Sequence, residues 1–166
     1  MFLVVTVDRN WAISKNGGLL YDIPTDKATL CELTRDKTIV YERKVLESFP
    51  NGEPLPLCRN IIFTHSRAFK RENVTIIHSL RSLRRYADND LYVVGGKKLY
   101  HRLYNKCQYA FVTHIDADSG NTACFPNIIS EGWEKITETP FLTYNGIRYQ
   151  FVTYRNPAFV DKKAAL

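Results

Sequence analysis

The feature that most constrains the fold is a run of short β-branched segments alternating with helix-forming stretches. Phe2 to Val7, Thr38 to Tyr41, Asn60 to Phe63, Val74 to Ile77 and Leu91 to Val94 are apolar runs of strand length. The first reads as a strand buried on both faces. Between them, Pro24-Thr25-Asp26 opens a helical stretch whose apolar face is Ala28, Leu30, Cys31 and Leu33. Arg43 to Phe49 reads as a short helix closed by Pro50, Asn51 and Gly52. Ser79 is a plausible N-cap for a helix carrying Leu80, Leu83 and Ala87, and Lys97 to Tyr104 forms another helix after Gly95-Gly96. Strand, helix, strand at this spacing requires right-handed crossovers, so the expectation is an α/β fold with a mostly parallel central sheet and flanking helices.

The C-terminal third changes character. Tyr109 to Ile115 is again strand-like, while Trp133 to Thr137 and Arg148 to Arg155 alternate, with Tyr144-Asn145-Gly146-Ile147 as a type I′ hairpin turn. An antiparallel C-terminal edge is expected. With 166 residues, 45% hydrophobic and 24% charged, the chain suits one folded domain over residues 1–160, followed by a polar tail at 161–166.

Other classes are excluded by simple counts. No apolar run reaches the ~20 residues of a membrane-crossing helix. The N-terminus lacks the basic region and cleavage site of a secretory signal, so a cytoplasmic location is expected. The cysteines at 31, 58, 107 and 124 form no C-x-x-C pair, and the histidines at 65, 78, 101 and 114 have no ligand spacing. Reduced thiols and no metal site are expected. The net charge of +6 comes from basic residues scattered along the chain, which suits a small polyanionic ligand better than nucleic acid.

Four stretches carry candidate chemistry. In Leu91 to Tyr100, LYVVGGKKLY, a strand meets two glycines and then a helix, which brings backbone close to a ligand or simply packs tightly. Lys97 and Lys98 at that helix start oppose its dipole, so an anion nearby would make sense of them. Asp26 falls in the first turn of its helix, where a carboxylate either just stabilises the positive end or projects into a cleft lined by Leu19, Tyr21 and Leu30. Arg43 and Lys44 follow a strand in TIVYERKVLES, and Thr64-His65-Ser66-Arg67 follows another; ligands of open α/β sheets collect at such ends.

In this order the segments resemble the dihydrofolate reductase family. WAISKNGGLLYDIPTD is similar to that family's mobile loop and W-x-L-P-x-D motif, ERKVLES to its G-R-x-T-x-E-S, and PLPLCRNII to its P-L-x-x-R-x-N strand. VVGGKKLY resembles V-I-G-G-x-x-[ILV]-Y, and THIDADSGNTACFP resembles T-x-I-x-x-x-x-x-G-D-T-x-F-P. The resemblance implies a monomeric enzyme that moves a hydride from NADPH to C6 of dihydrofolate. It makes Asp26 the acid that binds the pterin ring and Thr113 its support. It places Val4, Val5, Leu19, Tyr21, Leu30, Ser48, Phe49, Leu55, Cys58 and Val94 around a folate or pterin substrate. Leu19 would also cover the nicotinamide. By the same resemblance Gly95 and Gly96 abut the cofactor, Arg43 and Lys44 meet its phosphates, and Ser66 or His65 meets the adenosine 2′-phosphate. Thr6, Ile13, Ser14, Val45, Thr64, Lys97, Lys98, Leu99 and Tyr100 complete the cofactor contacts it implies.

The chain departs from that pattern at ligand-facing positions. Ser14 replaces a glycine, Tyr21 a tryptophan, and Leu30 an aromatic residue. Glu42 and Val45 replace the glycine and threonine of the phosphate-binding helix, placing a carboxylate near an anionic ligand. Cys58 stands where the family's arginine grips the folate α-carboxylate, and Arg59, one residue on, belongs to the opposite strand face. Asn121 replaces the aspartate of G-D-T, which is expected to remove a loop contact. Three consequences stay open: a divergent dihydrofolate reductase, a reductase for a pteridine or pyrimidine without a glutamate tail, or a fold kept as a binding module.

Overall fold

The computed structural model describes residues 1–15, 18–86, 90–121 and 123–159. Among the described residues, nine strands form one sheet in the order β4-β3-β2-β5-β1-β6-β9-β7, with β8 pairing with β9. They are β1 (Phe2–Val7), β2 (Thr38–Glu42), β3 (Arg59–Phe63), β4 (Thr75–Ile77), β5 (Leu91–Gly95), β6 (Tyr109–Ile115), β7 (Glu134–Glu138), β8 (Leu142–Tyr144) and β9 (Ile147–Arg155). The six strands from β4 to β6 pair in parallel, and β9 runs antiparallel to β6, β7 and β8. The expected antiparallel edge is thus three strands, with β9 between β6 and the outer pair. Asn145 and Gly146 both take positive φ, 46° and 78°, as the tight β8–β9 turn requires.

The central strands are apolar because both faces are covered. Ile39, Val40 and Tyr41 of β2 and Leu91 and Val93 of β5 are buried. Strand β1, expected to be buried on both faces, is not. Leu3, Val5 and Val7 enter the larger core, whereas Phe2, Val4 and Thr6 on the other face are only half-buried. The reason is functional geometry: Val4 and Thr6 form part of a cavity wall rather than packing under a helix.

Helix α1 (Pro24–Thr34) begins at proline as expected, and no side chain caps it. Helix α2 (Arg43–Leu46) is shorter than expected, because Ser48 and Phe49 already turn back by donating their N–H groups to Val45 and Leu46 oxygens. The segment after Ser79 is a 3₁₀ helix, Leu80–Tyr86, not an α-helix. Leu80, Leu83 and Tyr86 all pack on the core at a spacing of three, the period at which 3₁₀ side chains line up; Ala87 lies outside the described residues, as does the tail at 161–166. Helix α3 (Lys97–Leu103) buries Leu99, Tyr100 and Leu103 beside β5. No helix is long and apolar enough to cross a membrane among the described residues.

Candidate active site

Three elements distant in sequence meet at Asp26. It sits in the first turn of α1, with β1 and β6 paired beside each other so that Thr6 and Thr113 are partners in register. The Thr113 hydroxyl donates to Asp26 Oδ1 at 2.6 Å and the Thr6 hydroxyl donates to Oδ2 at 2.7 Å. Asp26 is therefore more than a helix-dipole residue, since its carboxylate is fixed across the cleft by two strands. Burial pushes its pKa up from the ordinary carboxylate value, and the two hydroxyls from Thr113 and Thr6 pull the other way without reversing the shift. Thr6, placed among cofactor contacts by the sequence, is the second anchor of the acid.

Above Asp26 lies a cavity of about 480 Å³. Val4, Val5, Val94 and Tyr100 line it from the sheet side, the Tyr100 hydroxyl donating to the Val4 carbonyl at 2.8 Å. Ile13, Ser14, Leu19 and Tyr21 line it from the loop after β1, Leu30 from α1, and Ser48, Phe49 and Leu55 from the segment after α2. Leu19 is 47% exposed, so the loop presents an apolar side chain to the cavity mouth. Ile23, Lys27, Cys31 and Pro50 also line it. The sequence reading missed these four; only the i, i+4 spacing of Lys27 and Cys31 along α1 hinted at a shared face.

The loop is tied down from two sides. Asp8, buried at the end of β1, accepts N–H groups of Asn10 and Ala12 on one oxygen and the N–H and hydroxyl of Ser119 on the other. Ile13 N–H donates to Ala123 O at 2.9 Å. Asn121 does not lose its loop contact: its side-chain amide donates to the Ser14 carbonyl. The amide supplies an N–H to a carbonyl oxygen, a bond that an ionised aspartate could not make.

At the opposite corner, Gly95, Gly96, Lys44, Val45, Lys97 and Lys98 face the cavity. Gly96 has φ 104°, and a Cβ there would fall 2.3 Å from Glu42 Cγ; one on Gly95 would fall 2.8 Å from Val45. These glycines are needed for close packing as well as for conformation. Glu42 Oε1 accepts the Leu99 N–H at 3.0 Å. A carboxylate of the chain itself thus holds one backbone N–H at the start of the helix that carries Lys97 and Lys98.

Seven expected residues do not line the large cavity; Thr113 is one, reaching it only through its bond to Asp26. Leu99 is wholly in the core and contributes only its N–H. Arg43 lies over the Phe69 ring, 5.6 Å from its centroid. Thr64, His65 and Ser66 sit at the C-terminal end of β3, two strands from β5, where Thr64 Oγ1 accepts the Ser66 N–H and His65 packs on Phe63. Cys58 faces a second, smaller cavity lined by Asp36, Lys37, Thr38, Leu57 and Arg59. Its thiol, pushed up to about 11 mainly by burial, is neutral and donates to Leu55 O. Arg59 is exposed and lines the same second cavity as Cys58, so the two side chains are not parted by the strand as expected: β3 begins only at Arg59.

The family profile described as dihydrofolate reductase matches residues 1–156. The chain belongs to the dihydrofolate reductase family. It is similar to the dihydrofolate reductase of Buchnera aphidicola subsp. Baizongia pistaciae, at 25% identity over 92% of this chain and 94% of that protein. Similarity to the Staphylococcus aureus dihydrofolate reductase is 28% over 80% of this chain and 81% of that one. Among solved structures, the Enterococcus faecalis dihydrofolate reductase complexed with NADP(H) and RAB-propyl superposes with a TM-score of 0.81 and 26% identity, covering 93% of this chain and 94% of that one. The open parallel sheet with its antiparallel C-terminal strands is the dihydrofolate reductase fold.

The donor set suits a reduced dinucleotide. Side-chain-free backbone at the end of β5, three lysines around it and hydroxyls beyond β3 match a ligand with a flat ring at one end and phosphates along its length. Glu42 is the one group in that corner with the wrong sign.

Proposed function

We propose that the protein is an NADPH-dependent oxidoreductase that reduces 7,8-dihydrofolate to tetrahydrofolate, with Asp26 as the pterin-binding acid. The carrying observation is the Asp26 carboxylate, held by Thr6 and Thr113 in the wall of a largely apolar cavity. NADPH supplies the hydride from C4 of its nicotinamide. The chain's own residues supply orientation and a proton. Asp26 receives the N–H and amino donors of the pterin edge, and the two threonine hydroxyls hold its plane in one orientation. As C6 accepts the hydride, N5 must gain a proton. A carboxyl group whose pKa is raised by burial keeps a proton in the site closer to neutrality than an exposed one does.

Ile13, Leu19, Tyr21 and Leu30 exclude water from the reacting faces, while Val4, Val5 and Val94 form the surface against which the rings lie. Gly95 and Gly96 admit the cofactor backbone, with Lys44, Lys97 and Lys98 near its phosphates. Arg43, Thr64, His65 and Ser66 are read as contacts to its outer phosphates, supported by their position at the C-terminal ends of parallel strands. Residues 1–160 are read as one domain, supported by a single sheet whose strands run from Phe2 to Arg155. A monomer in the cytoplasm is the accompanying reading. The cytoplasmic part is supported by four cysteines that are free thiols.

The test is NADPH oxidation followed by absorbance with dihydrofolate present or absent. Substrate-dependent oxidation, reduced at least a hundredfold at neutral pH by Asp26→Asn, is the expected result. No substrate-dependent oxidation in a folded protein that still binds NADPH would leave a binding module instead.

A further inference from the structure

The acid-binding half of the cavity and its far half differ in chemistry. One helical turn beyond Asp26, about 6 Å along α1, the walls are Leu30, Cys31, Phe49, Pro50 and Leu55. Dihydrofolate carries a glutamate there, with two carboxylates that need cations or N–H donors. The nearby basic side chains are already engaged: Lys27 with Asp22 at 2.8 Å, Arg35 with Glu32 at 2.9 Å, Lys37 with Asp90, and Arg71 with Glu53. Lys44, by contrast, belongs with Val45 at the Gly95 corner. Cys58 offers a neutral thiol bonded to Leu55, and Arg59 is exposed, lining the second cavity and not the large one.

We propose that this reductase recognises only the bicyclic head of its substrate, so that 7,8-dihydropterins with a short, uncharged substituent at C6 are reduced about as well as dihydrofolate. The inference rests on the reductase reading above and concerns the same site. An apolar wall gains from an alkyl or aryl substituent by burial, whereas a carboxylate placed there loses water without gaining a partner. Binding energy from a remote charged tail is one way to raise turnover. Among the described residues, the far half of the cavity holds no preorganised group that would use it.

The test compares kcat/KM for 6-methyl-7,8-dihydropterin and for dihydrofolate with saturating NADPH. The expected ratio lies within about tenfold of one. Cys58→Arg is expected to shift the ratio at least tenfold toward dihydrofolate, because a guanidinium forks onto a carboxylate. Arg59→Ala is expected to leave the ratio where it was. A wild-type preference for dihydrofolate above a hundredfold would overturn the inference while leaving the reductase reading intact. A selective loss of dihydrofolate turnover in Arg59→Ala would also overturn it, by showing that the tail is read through the second cavity. If neither substrate oxidised NADPH, the reductase reading and this inference would fall together. The wild-type ratio does not depend on any variant folding.

Discussion

Thr6 and Asp26 are joined by a 2.7 Å hydrogen bond across the cleft, the hydroxyl of β1 donating to the carboxylate of α1. The bond does two things at once. It fixes the second oxygen of an acid whose first oxygen is held by Thr113, and it favours the ionised form against the desolvation that raises its pKa. Thr6→Val keeps the shape and removes the donor, so the Asp26 pKa should rise further. The fall in hydride-transfer rate as pH increases should then move to higher pH, with plateau kcat changed less than about threefold. Superimposable pH profiles for wild type and variant would remove Thr6 from the control of Asp26.

Glu42 occupies the corner proposed for the cofactor. Its carboxylate holds the Leu99 N–H and its chain fills the space over Gly96. Replacing it by glycine removes a like charge and opens the approach, at the cost of one hydrogen bond worth about 1 kcal/mol of stability. Glu42→Gly should lower the Kd for NADPH about tenfold by fluorescence titration, with Glu42→Gln intermediate. A higher Kd in both variants would mean that the Leu99 contact shapes the corner more than the charge obstructs it.

Asp8 accepts four hydrogen bonds from two segments, Asn10 and Ala12 in one and Ser119 in the other, and holds the loop after β1 against Ser119. Its pKa lies below the ordinary carboxylate value: desolvation acts to raise it, and the donors led by Ser119 outweigh that. An acid with a depressed folded pKa stabilises above its unfolded pKa and loses that contribution as pH falls through the folded one. Asp8→Ala should therefore cost about 2 kcal/mol near pH 7 in urea unfolding and raise KM more than it lowers kcat, since it frees the loop that carries Leu19. Unchanged stability would contradict the bonding pattern.

His114 is held neutral. Burial, with Lys135 as a lesser cause, lowers its pKa to about 4, and its ring bonds Tyr154 Oη at 2.9 Å while standing edge-on to Trp11. In the unfolded chain the imidazole takes a proton near pH 6.5, but the folded protein does not until about 4. The unfolded state then binds more protons in that window, so stability falls as pH drops from about 6.5 to about 4. His114→Gln should lose distinctly less stability over that range. Parallel pH dependence of the urea midpoints in the two proteins would show that His114 does not titrate as described.

Much of the scaffold was legible from local pattern. The bounds of β1 and β6 agree with their apolar runs, Pro24 opens α1, and Asn145-Gly146 makes its hairpin, because each depends on side-chain periodicity or on one residue's φ preference. Departures arose where packing chose among local options. Leu80 to Tyr86 became 3₁₀ to place three side chains on the core, and α2 stopped at Leu46. Within the site, Asp26, Thr113 and Gly95-Gly96 were recognisable from ordered motifs. The partnership of Thr6 with Asp26, the plug formed by Glu42 and the Asn121 contact to Ser14 were not, because each joins residues at least 20 positions apart.

The sequence by itself determined the strand and helix alternation, the parallel sheet it demands and the residue types available for chemistry, since these follow from short-range sterics and burial. Only the tertiary structure decided which of those residues share an environment. A carboxylate at a helix start is an ordinary exposed acid until two strands, brought into register by hydrogen bonds far along the chain, surround it with hydroxyls and apolar walls. Desolvation and hydrogen bonding act over a few ångströms of space and not over intervals of sequence, so the acid's strength and the reach of its pocket were set by folding.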